Sequence, residues 1–299
     1  SLQPASIAVS KSRLVTDLKN AMKFEDLANK VPKIKKLPLP GESAHLEMAP
    51  EMRITELKAL SQKPSDYRRA GVMALFYPGP DELARLLFIL RNAYPGVPSS
   101  QVGFPGGQEE GGDQDLLQTA LRETEEEVGV PTTLILPIRP LSRIYIPPSK
   151  FEVSPFMGIC QQTPEFRKQD SEVAELIEVP LADILCDSCL ETRRMTTSYA
   201  RDIEVPAFRL QGHIVWGATA MMLNEIKSLL RLHQRIFTAC VGNYDPDYAQ
   251  KYLKHKVPYI SVLGIAAVVA ACSAVSEVIK LVTGKGKPII APDAFAFDL

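Results

Sequence analysis

The chain has 299 residues, 45% hydrophobic and 23% charged, a composition that belongs to folded globular proteins and excludes a disordered one. Its 34 Lys and Arg against 35 Asp and Glu leave a net charge of -1, so no overall basic field exists to gather nucleic acid, and nucleic acid is not expected as a partner. Five cysteines, an odd number scattered over a long chain, do not form a disulfide framework and fit a reducing, cytoplasmic setting.

Residues 1–10 have neither a basic start nor a long apolar run, which is not the pattern of a secretory signal. Over 11–32, Leu14, Leu18 and Met22 recur at helical spacing, and Pro32 with the basic stretch 33–40 then reads as an extended linker. Its Lys33, Lys35 and Lys36 read as a solvated surface. From position 70 the texture changes to short apolar runs at 72–77 and 86–90 around Pro78-Gly79-Pro80-Asp81, a strand, turn, strand pattern. A Gly/Pro-rich loop follows, then one strong helix, then strands near 141–146, 153–160, 194–199 and 203–210. A second long helix runs from about 215 to 232, with Trp216 at its start as a core anchor. Strands with few interspersed helices argue an α+β sandwich rather than a regular βαβ fold. The division expected is a helical arm and linker at 1–69, a main domain at 70–234 and an extension at 235–299. Within the extension the apolar run 260–275 is broken by Gly264 and falls short of the roughly 20 residues that span a bilayer, so it reads as a buried helix and no membrane partner is expected.

The chemistry concentrates in the strong helix. Asp115 suits its N-cap, with Gln118 three residues on in the manner of a capping box, and Gly129 suits the left-handed position that ends it. At about 100° per residue, Leu117, Ala120, Leu121, Thr124 and Val128 form the core-facing stripe, and Glu123, Glu126 and Glu127 occupy an arc beside it. Like charges at this spacing cost a helix about 0.2–0.5 kcal/mol per pair, a conflict that a bound divalent cation would remove. Hard carboxylate oxygens select magnesium. Arg122, four residues before Glu126, is placed to hold that carboxylate. An acidic, solvent-facing helix is the bland alternative, and it is the ordered context that argues against it.

That context resembles the Nudix box, the glycine, acidic residue, Arg-Glu, Glu-Glu, Gly-hydrophobic signature of a loop-helix-loop metal site. Gly107, Arg122, Glu123, Glu126, Glu127, Gly129 and Val130 match it. Asp113 stands where the usual pattern has Glu, one residue further from Arg122, and Thr124 replaces an aliphatic residue. Upstream, Arg91 at a strand end and Gln101-Val102-Gly103-Phe104-Pro105-Gly106-Gly107 resemble the added signature of the coenzyme A pyrophosphatase branch, with Pro98 departing from the basic residue or His of many relatives. The resemblance covers roughly residues 30–232. It implies an α/β/α sandwich with a mixed sheet and Mg²⁺ or Mn²⁺ held by Glu123, Glu126 and Glu127. It also implies substrate contacts from Arg91, Gln101, Phe104, Gly106 and Gly107. The implied reaction is hydrolysis of coenzyme A or a derivative to 3′,5′-ADP and 4′-phosphopantetheine. Arg122 is carried with the catalytic group, and the general base is either Glu127 or Glu172. Glu172 reads equally well as a residue leading into a strand before Leu176 and Pro180.

Two alternatives stand beside this reading: a Nudix hydrolase of ADP-ribose, dinucleotides or other nucleoside diphosphate derivatives, and a non-catalytic Nudix-fold binding or scaffold protein. Cys186 and Cys189 form one Cys-x-x-Cys without a second pair at metal spacing, which does not make a zinc site. Residues 235–299 weakly resemble the last helix and strands of ThiF-like, ubiquitin-activating (E1-like) domains. Without a Gly-x-Gly-x-x-Gly loop they read as a dimerising or partner-docking module.

Overall fold

A computed structural model of the chain describes residues 22–50, 54, 66–92, 101–195 and 202–241, with backbone alone for 233–241. The expected hairpin forms: the apolar runs become β1 (Arg68–Pro78) and β2 (Ala84–Arg91), antiparallel, with Phe76 opposite Leu86. Further strands are β3 (Val102–Gly103), β4 (Gly106–Gln108), β5 (Leu136–Pro140), β6 (Ile144–Ile146), β7 (Phe151–Ile159) and β8 (Val173–Pro180). The path through the main sheet is β3-β2-β1-β7-β5, with β4 paired to β1, β6 to β7 and β8 to β2. It is a mixed sheet, because β1 and β7 run parallel, Arg68 opposite Phe151 through Phe76 opposite Ile159, while the other pairings are antiparallel.

Alternation along the strands fills both faces. Met73, Leu75, Tyr77, Leu87 and Ile89 meet Ala120 and Val128 of the acidic helix on one side. Ala74, Phe76, Leu86 and Phe88, pointing the other way, are equally buried. A sheet with two buried faces needs a layer on each, as an α/β/α sandwich provides. A second, three-stranded sheet is formed by β9 (Leu190–Met195), β10 (Ile203–Leu210) and β11 (His213–Trp216).

Several expectations are corrected. Pro32 does not end the first helix: α1 runs Phe24–Ile34 with Pro32 inside it, so 33–34 are helical rather than linker. The lost hydrogen bond is offset by docking, since Phe24, Leu27 and Ile34 are buried and Arg139 Nη1 donates to the Ile34 and Leu37 carbonyls at 2.8 and 2.7 Å. A short helix α2 (Glu42–Leu46) follows. The Gly-rich stretch before the acidic helix is not a loop throughout but contains β3 and β4. Trp216 closes strand β11 rather than opening a helix. The last described helix starts after it, at Gly217 with φ +62°, and runs Gly217–Val241. Of the strand expected at 141–146 only Ile144–Ile146 forms, as β6, and β5 lies ahead of that range at Leu136–Pro140. Residues 1–21 and 242–299, with nearly all of the proposed extension and its E1-like resemblance, lie outside the described residues. Among the described residues no helix is long and apolar enough to cross a membrane.

Candidate active site

The acidic helix, α3 (Leu116–Val128), has the ends expected of it. Asp115 accepts the Gln118 N–H at 2.8 Å, and Gly129, at φ +73°, ends the last turn. Gln118 does not close a capping box; its side-chain oxygen accepts from the Gln114 N–H at 2.6 Å, one residue ahead of the cap. Leu116, Ala120, Thr124 and Val128 face inward, and Leu117 and Leu121 are partly covered. The helix rides directly on β1 because Gly71 has no side chain: a Cβ there would lie 2.2 Å from the Leu116 carbonyl oxygen.

Glu127 was expected beside the packed face and is instead part of it, 1% exposed. Both of its oxygens are engaged. Arg91, at the end of β2, donates Nη1 to Oε1 at 2.8 Å, and the Gly106 N–H donates to Oε2 at 2.8 Å. Arg91 Nη2 also donates to the Gly106 carbonyl, at 2.5 Å, so guanidinium, carboxylate and peptide close a ring. Burial pushes the Glu127 pKa up, to about 7, against the pull of Arg91 and the Gly106 N–H; the charges of Glu123 and Glu172 add to the rise.

Glu123 sits one helical turn earlier over Gly107, where a Cβ would fall 2.4 Å from its carboxyl carbon. Its pKa is raised by burial, pulled back by Arg122 and raised again by Glu126 and Glu172. Arg122 organises this outer group. Its Nε and Nη2 grip the two oxygens of Asp113 at 3.1 Å each, and its Nη1 reaches Glu123 Oε1 at 3.0 Å and Glu126 Oε2 at 3.1 Å. The Arg122 guanidinium, helped by the Glu110 N–H and the Thr119 hydroxyl, holds the Asp113 carboxyl well below the usual carboxylate range. In the sequence Asp113 is a departure from the motif; its role as the anchor of Arg122 has no signature in helical spacing, because Asp113 lies in the loop ahead of α3 and Arg122 within the helix.

The remaining expected residues divide. Arg91 is committed to Glu127 and Gly106, and its N–H donates to the Gln101 carbonyl at 3.1 Å, which brings exposed Gln101 alongside. Glu172 lies on a loop tied to the helix end by the Gln169 N–H on the Glu127 carbonyl and to β2 by the Asn92 N–H on its own carbonyl. Gly106 and Gly107 belong to β4, where they let the carboxylates of α3 approach the backbone. Phe104, expected to touch substrate, is 2% exposed and stacks on Phe88 with centroids 4.9 Å apart; its role is packing. Nor do Glu123, Glu126 and Glu127 converge as a ready triad: Arg122 bridges Glu123 and the 57% exposed Glu126, while Glu127 turns in to Arg91. Among the described residues no three His, Cys, Asp or Glu side chains lie together at metal-binding spacing.

Residues 67–197 match the NUDIX domain family. The chain is 31% identical over 171 residues to the uncharacterized Nudix hydrolase NudL of Pectobacterium atrosepticum, covering 53% of this chain and 81% of that protein. A NudL of Yersinia pestis is 31% identical over 162 residues, 53% of this chain and 78% of the relative. The chain belongs to the Nudix hydrolases. Among solved structures, a MutT protein from Methanosarcina mazei is similar at 15% identity and a TM-score of 0.37, covering 57% of this chain and 97% of the other.

Nudix hydrolases act on pyrophosphate bonds and generally use divalent cations. The donor chemistry in this Nudix domain suits such an ion. Glu123, Glu126, Glu127 and Glu172 supply only hard oxygens; burial is the main reason the Glu123 and Glu127 pKa values rise, and neighbouring carboxylates add to it.

Proposed function

We propose that the chain is a Mg²⁺- or Mn²⁺-dependent pyrophosphohydrolase that cleaves the diphosphate of coenzyme A or its derivatives, giving 3′,5′-ADP and 4′-phosphopantetheine. Support for diphosphate cleavage is the placing of Glu123 over Gly107 and of Glu127 on the Gly106 N–H, held by Arg122 and Arg91, with Glu172 near enough for its charge to act on both. Support for coenzyme A is the Gln101-Val102-Gly103-Phe104-Pro105-Gly106-Gly107 pattern ahead of that helix.

Glu123 and Glu126, with Glu127 behind them, would hold the cation, which when bound neutralises the diphosphate and acidifies a water molecule. Arg122 keeps Glu123 and Glu126 on one side of the helix, and Asp113 fixes Arg122. Arg91 and the Gly106 N–H hold Glu127 in place. With both Glu127 oxygens engaged, the exposed Glu172 is the carboxylate we assign to take the proton from water, and Glu127 is a positioning and ligating group.

The test is product analysis by mass spectrometry after incubation with coenzyme A, ADP-ribose or NADH and Mg²⁺. The expected result is 3′,5′-ADP and 4′-phosphopantetheine from coenzyme A. Cleavage of ADP-ribose or NADH alone overturns the substrate, and no cleavage of any of the three supports a binding or scaffold protein instead.

A further inference from the structure

Cys186 and Cys189 take no part in the site above, and their placement is that of a reactive pair. Cys186 directly precedes a single 3₁₀ turn, Asp187–Cys189, between the short helix α4 (Leu181–Leu185) and strand β9. Cys186, with extended backbone (ψ 138°), and Cys189 are the two ends of this one turn, and the ends of a four-residue turn lie less than about 7 Å apart at Cα, against the roughly 4.4–6.8 Å that a disulfide spans. Cys186 is exposed and Cys189 is partly covered, an arrangement with one outward and one inward sulfur.

The surroundings distinguish the two thiols. Cys186 Sγ lies 3.0 Å from the Ser188 hydroxyl, and Lys227, only 2% exposed, donates Nζ to the Cys186 carbonyl at 3.0 Å while lying 3.3 Å from Asp187. Hydrogen bonding to Ser188, through its side chain and its backbone N–H, shifts the Cys186 pKa down; Lys227 adds to the shift, while burial and the Asp187 carboxylate oppose it. Burial pushes Cys189 up to about 11, with the charge of Cys186 adding to it, and burial pushes Cys160 up to about 11 as well.

We propose that Cys186 and Cys189 are a redox-active dithiol that a low-molecular-weight disulfide oxidises to an intramolecular bond. The Cys186 thiolate attacks one sulfur of the external disulfide; that S–S bond breaks, and the departing thiolate takes up the proton Cys186 released. Cys189 then loses its proton and attacks Cys186 Sγ, expelling the second small thiolate, which takes that proton. Two electrons pass from the pair to the external disulfide, and two small thiols leave. The ring closed is so short that it removes little chain entropy, which suits an exchangeable bond better than a structural one.

The full chain is incubated with oxidised glutathione, quenched with an alkylating agent and digested with trypsin. Cleavage after Lys168 and Arg193 yields one peptide with both cysteines and none of the other three of the five. In the wild type this peptide is expected to lose two hydrogens and resist alkylation. Cys189→Ser is expected to stop with one glutathione on Cys186, and Cys186→Ser to stay unmodified under the same conditions. In the reduced protein Cys186 is expected to alkylate at least about tenfold faster than Cys189. A wild-type peptide that remains a dithiol, that collects two glutathiones, or in which Cys189 reacts first overturns the proposal, whether or not the serine variants fold.

Discussion

Gly107→Ala separates the role of the site from that of the fold. The added Cβ would stand 2.4 Å from the Glu123 carboxyl carbon, whereas ordinary contact begins at 3.4 Å. The carboxylate must therefore move by about 1 Å, a displacement that costs on the order of 100-fold in rate when it misplaces a group used in the reaction. The obstacle is the end of a flexible side chain, so the backbone need not shift, and the melting temperature is expected to stay close to wild type. Gly71→Ala makes the contrast: its Cβ meets the Leu116 carbonyl at 2.2 Å, backbone against backbone, and the helix must lift at a cost of about 1–3 kcal/mol. The assay is turnover of coenzyme A with Mg²⁺ alongside thermal unfolding for both variants. Wild-type turnover in Gly107→Ala would refute the placement of Glu123 in the reaction, and an unchanged melting temperature in Gly71→Ala would refute the close docking of α3.

Arg91→Ala leaves Glu127 buried with the Gly106 N–H as its described partner. With Arg91 40% exposed, the loss should sit below the full cost of breaking a buried pair, at about 2 kcal/mol by urea unfolding. Glu127→Gln in the Arg91→Ala background should recover part of that loss, and strictly additive losses would contradict the pairing. Glu225, fully buried on the last described helix, accepts from the Ser142 hydroxyl at 2.6 Å and the Gly41 N–H at 3.2 Å and meets His45 Nε2 at 3.1 Å. Burial opposes its charge, but His45 and Ser142 outweigh burial and lower its pKa from the usual 4.5. A carboxyl with a lowered folded pKa contributes stability above its unfolded pKa and loses it as pH falls through the folded one. The melting temperature should therefore drop below about pH 4.5 more steeply in the wild type than in Glu225→Gln. Identical slopes would show that Glu225 carries no such linkage.

Legibility in the sequence followed the range of the interactions. The β1–β2 hairpin and the ends of α3 rest on neighbours a few residues apart, and Asp115, Gly129 and the apolar runs announce them. The inward turn of Glu127 depends on Arg91, 36 residues earlier in the chain, and on the peptide of Gly106. Helical spacing puts Glu127 only at the edge of the packed face and cannot foresee a guanidinium arriving from a strand. The family signature implies a substrate contact for Phe104, yet its place between the short strands β3 and β4 puts it in the core against Phe88, a contact between distant strands that no local pattern announces. Pro32 signals a helix end, but Arg139 satisfies the carbonyls beyond it from about 100 residues away. Strand β8 lacked strict alternation, with Ala174 and Glu175 adjacent and exposed, and pairing with β2 decides its state.

Uptake of Mn²⁺, read from the loss of the free-ion electron paramagnetic resonance signal, tests most directly whether the carboxylates of α3 hold a divalent cation. Titration of the wild type is expected to show a saturable site, weakened at least about tenfold in the Glu123→Gln, Glu126→Gln double variant that still folds. Equal uptake by the folded double variant, or none by the wild type, would contradict the assignment.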